Sequence, residues 1–197
     1  MPNWCNNVVE ISHADPAMIE RARKAFNDGR LLNEFIPVPE DLHIVAGSVG
    51  AKGSPEQNAL EAKEKANIEK HGYATWYDFC INEWGTKWDV GADGNEAEDL
   101  EPEYPGIGLR LVFDSAWAPP VGAYDKLEAL GFSIRAYYYE PGMAFAGIYE
   151  DGCDEYYEYG GMSSEQIAEE LPDALDEMFC ISESVAEWEA EEEAEDE

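Results

Sequence analysis

The sequence predicts an α+β protein built on a ferredoxin-like, split β-α-β sandwich, and three observations carry that reading. Short β-branched runs alternate with stretches of helical periodicity in the order strand, helix, strand, strand, helix, strand. The 197 residues suit one core with an extension. A composition 45% hydrophobic and 12% aromatic is rich enough to build that core, whereas a disordered chain is poor in aromatics.

Residues 8–12, Val-Val-Glu-Ile-Ser, read as the first strand. Asp15 and Pro16 then open a helix as N-cap and first helical residue, and Gly29 closes it. Met18, Ile19, Ala22, Ala25 and Phe26 recur at helical spacing within it. Residues 31–39 carry Pro37 and Pro39 and predict an extended loop. Residues 54–70 predict a polar, exposed helix begun by Ser54, Pro55 and Glu56, part of an insertion at about 40–85. Residues 75–81 predict a short buried helix capped by Thr75.

Residues 87–90 suit a strand, and the glycine- and proline-rich 91–108 suit a loop. Residues 109–113 are the next strand, and Pro119-Pro120 starts a helix ended by Gly131. Residues 132–139 predict a strand with Phe132, Ile134, Ala136 and Tyr138 on one face. Further strands are expected at 144–149 and 155–159. Ser163 or Ser164 caps a helix that Pro172 must break or restart, because proline lacks the N–H and crowds the preceding turn. The expected organisation is a domain over 1–160, a helical extension over 161–185 and an acidic tail over 186–197.

Three strings stand out: Met1-Pro2-Asn3-Trp4-Cys5-Asn6-Asn7, Asn82-Glu83-Trp84-Gly85-Thr86-Lys87-Trp88-Asp89 and Phe113-Asp114-Ser115-Ala116-Trp117-Ala118-Pro119-Pro120. With the weaker Glu140-Pro141-Gly142, Ala146-Gly147 and Tyr149, they resemble the YubB-like family of small phage and plasmid proteins over roughly residues 1–150. The resemblance implies a ferredoxin-like domain carried by mobile elements. It implies no settled activity and no catalytic residues.

Charge separates the two ends of the chain. All 12 Lys and Arg lie at or before Arg135, and the last 62 residues carry 21 Asp and Glu, so −21 of the net −32 sits in the C-terminal third. Such a field repels nucleic acid and membrane surfaces and attracts basic protein surfaces. The tyrosines 137–139, 149, 156, 157 and 159 alternate with carboxylates rather than with the cations that would neutralise phosphates, which argues against direct nucleic-acid binding. No segment approaches the ~20 apolar residues of a membrane span, and the start has no basic, apolar leader; the expected place is the cytoplasm of a host cell.

Cys5, Cys80, Cys153 and Cys180 are too scattered for a zinc or disulfide framework, and His13, His43 and His71 form no pair. No cofactor-binding motif is present, and Asp89 to Glu96 lacks the spacing of a calcium loop. No histidine lies near Cys5 in sequence to activate it.

Two functional readings follow. In the first, the chain is a non-enzymatic DNA mimic that occupies the basic nucleic-acid cleft of a host defence or DNA-handling protein. Its expected contact residues are Glu165, Glu169, Glu170, Asp173, Asp176 and Glu177, with Tyr156, Tyr157 and Tyr159 as anchors. Glu165, Glu169, Asp173 and Glu177 recur every four residues, and residues 183–197 hold nine acids. In the second, a small enzyme or ligand-binding domain uses a pocket around Asn3, Trp84, Lys87, Asp89, Asp114 and Trp117, where Lys87 holds an anion between aromatic walls. The same tryptophans also suit a core latch, with Lys87 paired to Asp89 or Asp114 and Gly85 permitting a tight bend; packing is the preferred reading of that string.

Overall fold

The computed structural model describes residues 3–91, 97–101, 103 and 106–195. The chain is α+β. Six antiparallel strands form one sheet in the order β2-β3-β1-β4-β5-β6. They are β1 (Trp4–His13), β2 (Glu98–Asp99), β3 (Gly108–Ala116), β4 (Phe132–Glu140), β5 (Phe145–Glu150) and β6 (Cys153–Glu158). β1 lies centrally, with Val9 opposite Leu111 of β3 and Ala136 of β4.

Alternation along the strands makes two faces. Val9, Ile11, Leu109, Leu111, Phe113, Ile134 and Ala136 turn to one face, where α1 (Pro16–Asn27) and α5 (Val121–Ala129) cover them. Asp15 caps α1 by accepting from Ala17 N, and the helix buries Ile19, Ala22, Ala25 and Phe26. These are four of the five residues its spacing predicts, and the fifth, Met18, packs against the same core partly buried. Phe132, Ile134, Ala136 and Tyr138 of β4 are all buried, again as the alternation requires.

The opposite face is covered over β4–β6 by α6 (Ser164–Glu170), α7 (Asp173–Phe179) and α8 (Ile181–Glu195). Ser163 caps α6 with a reciprocal Gln166 bond. Pro172 separates α6 from α7, as expected of a residue that cannot continue the first helix. Cys180, at φ 52°, separates α7 from α8. α8 runs unbroken through position 185 to Glu195, so the expected boundary between extension and tail falls inside a helix. A second buried cluster of Ala146, Tyr159, Ile167, Leu171, Leu175 and Ile181 seats this cap on the sheet.

Two segments depart from expectation. Residues 31–39 are not wholly an extended loop: α2 (Leu31–Phe35) forms there, followed by a 3-10 turn at Glu40–Leu42. The cause is distant in sequence. Asp89 accepts from Leu32 N at 2.7 Å and Asn33 N at 2.9 Å, supplying the N-terminal cap that Arg30 does not. Residues 87–90 do not form a strand. Glu98 and Asp99 form the edge strand instead, inside the stretch expected to be loop, with Glu98 opposite Arg110. The guanidinium of Arg23 reaches the Ala97 carbonyl at 2.8 Å and pairs with Asp99, which holds that edge to α1.

The insertion carries α3 (Pro55–His71), polar and largely exposed as predicted, with Leu60 and Asn67 its buried residues. Asn67 donates to the carbonyls of Asp41 and Ala74, at 2.9 and 3.0 Å. Thr75 caps α4 (Trp76–Phe79), which runs on into a π turn at Cys80–Trp84. Among the described residues, no helix is long and apolar enough to cross a membrane.

Candidate functional site

Two surfaces gather the residues singled out by the sequence. The first lies where the string 84–89 meets the start of β1 and the end of β3. Trp84 is buried and its indole N–H donates to the Ile36 carbonyl at 3.0 Å, so it is a core latch and not a pocket wall alone. Gly85 takes φ 89°, and a Cβ there would lie 3.1 Å from the Pro119 carbonyl oxygen. Thr86 is buried and donates to the Ala116 carbonyl at 3.0 Å. This pinning turns the chain away from strand geometry and sets Lys87 and Trp88 outward.

Lys87 is not paired with Asp89 or Asp114. Among the described residues no carboxylate lies within 4.0 Å of it. Its ammonium instead lies 4.6 Å from the Trp88 ring centre, 5.1 Å from Trp117 and 5.9 Å from Tyr77. Asp89 is committed elsewhere, because three backbone N–H groups donate to it: Leu32, Asn33 and Val90. Burial nonetheless pushes its carboxyl above the ordinary value, outweighing those donors. Asp114 accepts from Asn6 Nδ2 at 2.6 Å across the β1–β3 pair. Asn3 joins through its backbone, accepting from Trp117 N at 2.9 Å.

Trp4, Trp88 and Trp117 are each about 40% exposed; Trp88 and Trp117 flank the lysine, and Trp4 packs against Trp88 with ring centres 5.8 Å apart. Trp117 has φ 70°, a region non-glycine residues seldom occupy. Three cavities open here. One of about 540 Å³ includes Trp76, Tyr77, Lys87 and Trp117 in its lining. A second of about 410 Å³ has Val38, Trp76, Trp84, Lys87 and Trp88 among its walls. A third of about 200 Å³ includes Trp4, Trp88, Asp89 and Asp114. The sequence grouping of Asn3, Trp84, Lys87, Asp89, Asp114 and Trp117 is therefore one neighbourhood, of which Lys87 and Trp117 face a common cavity. Trp88 and Trp76 were missed as site residues. The adjacency of Trp88 to Lys87 could have shown the first, but nothing local marks the second.

The second surface is the cap. Glu165, Glu169, Glu170, Asp173 and Glu177 are all exposed, yet they sit on two helices with Pro172 between them and so do not form one four-spaced row. Asp176 departs from the contact role expected of it. It is half-buried, and Ser182 donates to it from N at 2.7 Å and from Oγ at 2.5 Å, tying α7 to the start of α8. Tyr159 is not an exposed anchor: it is buried and stacked on Tyr139, whose ring centre lies 6.0 Å away. Tyr157 is half-buried with its hydroxyl on Glu155, and Tyr156 is exposed. Glu189 of α8 accepts from Ser164 N and Oγ and so clasps α6. Every ion pair among the described residues uses an acid at or before Glu150, so no described carboxylate of the cap is in an ion pair.

The four cysteines are free, Cys5 and Cys80 buried and Cys153 and Cys180 exposed. Burial pushes the Cys5 and Cys80 thiols up to about 12, which leaves them unreactive at neutral pH. Among the described residues no group of three or more His, Cys, Asp or Glu is placed to hold a metal ion.

The molecule is thus an α+β protein with a tryptophan-walled corner and an acidic helical cap. No family model matches the chain, and no curated protein matches it. It is similar to the crystal structure of a protein api92 from Yersinia pseudotuberculosis, described by the family model DUF1281. The identity is 15% and the TM-score 0.40, with 82% of this chain and 99% of that one covered.

Proposed function

We propose that this chain is a non-enzymatic binding protein whose cap imitates the charge of a nucleic acid and occupies a basic cleft on a nucleic-acid-handling protein. The supporting observation is the cap itself: helices fixed by Ile167, Leu171, Leu175 and Ile181 on their inner side carry carboxylates that form no ion pair among the described residues. Residues 183–195 of α8 hold seven acids along ~18 Å of axis, or one charge per roughly 2.6 Å. Duplex DNA carries one per ~1.7 Å of axis and a single strand one per ~3.4 Å, so the linear density falls between them.

The strand order β2-β3-β1-β4, with α1 and α5 on one face, supports a ferredoxin-like core extended by β5 and β6. The YubB-like resemblance supports a host defence or DNA-handling protein as the target. In this reading Glu165, Glu169, Glu170, Asp173 and Glu177 make the electrostatic contacts, with Tyr156 beside them, and the complex forms in the host cytoplasm.

The test is a pull-down of basic nucleic-acid-binding proteins at about 50 mM and about 300 mM salt, with duplex oligonucleotide as competitor. The complex should weaken by at least about tenfold at the higher salt and be displaced by the duplex. Changing Glu165, Glu169, Glu170 and Glu177 to Gln together should abolish it. Binding that is indifferent to salt and to the competitor would sink the proposal.

A further inference from the structure

The tryptophan-walled corner has no part in the cap's reading and carries an inference of its own. We propose that the cavity of about 410 Å³ beside Lys87 binds a planar aromatic molecule bearing a single negative charge. Its volume suits a small organic ligand. Its walls include Trp76, Trp84, Trp88, Val38 and His43, and aromatic side chains of this kind hold flat rings by stacking.

The charge count fixes the polarity of the ligand. Three residues that line this cavity carry full charges, and two are spent. Arg30 is bound to Glu34 and Asp28, and the oxygens of Asp89 accept three backbone N–H groups. Lys87 is half-buried and has three donors, no carboxylate within ion-pair distance among the described residues, and three aromatic ring centres within 5.9 Å of its ammonium. An anionic oxygen of the ligand would accept from its Nζ. One uncommitted cation matches one anionic group.

A polyanion is excluded by the field of a chain with net charge −32, whereas a small monoanion inside the cavity meets Lys87 at contact distance, well within the ~8 Å screening length. Trp117 lines the neighbouring cavity of about 540 Å³, which shares Lys87, and its backbone adds a further observation. Residues held in such sparsely populated conformations cluster at ligand sites. Here the strained residue sets its indole 5.1 Å from the same ammonium and is held by the Asn3 carbonyl.

The test uses 2-naphthoate as probe, with neutral 2-naphthamide, adenosine monophosphate and a short single-stranded oligonucleotide as comparison arms, by isothermal titration calorimetry. Naphthoate should bind at least about tenfold more tightly than the amide, the ratio expected of one charge-assisted hydrogen bond. Lys87→Met should remove that preference and leave amide binding within about twofold, Lys87→Arg should retain most of it, and Trp88→Ala should weaken both probes. The oligonucleotide and adenosine monophosphate, which carries close to two negative charges at neutral pH, should each bind more weakly than naphthoate.

Equal binding of acid and amide, no binding of either, an oligonucleotide that outcompetes naphthoate, or a Lys87→Met protein that keeps the preference would each overturn the assignment. The Gln-substituted cap should leave naphthoate binding unchanged, so failure here and failure of the DNA-mimic reading are separately visible.

Discussion

Leu175 is fully buried in the cluster that seats the cap, and its replacement by alanine measures how firmly the acidic helices are held. The substitution removes three carbons. At ~0.8 kcal/mol per buried methylene the transfer loss is roughly 2.4 kcal/mol, and the residual cavity brings the total to about 3 kcal/mol. The cap has its own cluster, separate from the one beneath α1 and α5, so the cost should appear first as local opening. Native-state hydrogen exchange reads this directly. Amides of α7 and α8 should exchange roughly 150-fold faster, at about 1.4 kcal/mol per decade. Ile134→Val, in the main core, should cost about 1 kcal/mol and leave the cap amides at their wild-type rate. Acceleration of the cap by less than tenfold in the Leu175→Ala protein, or an equal acceleration by Ile134→Val, would refute the picture of an independently seated cap.

Other outcomes follow from the same coordinates. A colourimetric thiol reagent at about pH 8 should label two of the four cysteines quickly, Cys153 and Cys180, because the others are buried with pKa values near 12; fast labelling of all four in the native protein would contradict the burial. Gly91→Ala should cost roughly 3 kcal/mol or more in denaturant unfolding, since φ is 120° and a Cβ would lie 2.2 Å from the Phe26 carbonyl oxygen. Added sodium chloride should raise Tm by several degrees, about 5 °C or more, because screening relieves repulsion in a chain of net charge −32; a Tm that falls with salt would show that the ion pairs outweigh that repulsion.

Local signals predicted the elements whose causes are local. α1 has its own cap, proline and apolar stripe, and β4 has a clean alternation, so both were legible. α2 was not, because the carboxylate that caps it belongs to Asp89, 57 positions away in the chain. The strand expected at residues 87–90 failed for the related reason that Gly85, Thr86 and Asp89 are each fixed by a distant partner. The edge strand at Glu98 and Asp99 has no β-branched residue and exists through its pairing with β3 and with Arg23. In the site, composition identified the tryptophans but not their sides. Trp84 and Trp88 are four residues apart, one buried and the other exposed, and only the bend at Gly85 separates their fates. Tyr159 and Asp176 looked like surface groups by type and were drawn inward by stacking and by Ser182.

The sheet ends at β6, an outermost strand whose side chains include Asp154, Glu155 and Glu158. Its far rim is an open row of amide and carbonyl groups, the kind of seam on which a second chain can knit itself. At neutral pH those carboxylates act as a fence, because any incoming copy brings the same charges. Near the isoelectric point of about 4.1 the net charge that keeps copies apart vanishes. Acidification therefore does more than lower solubility: it offers this rim as the place where aggregates begin to grow.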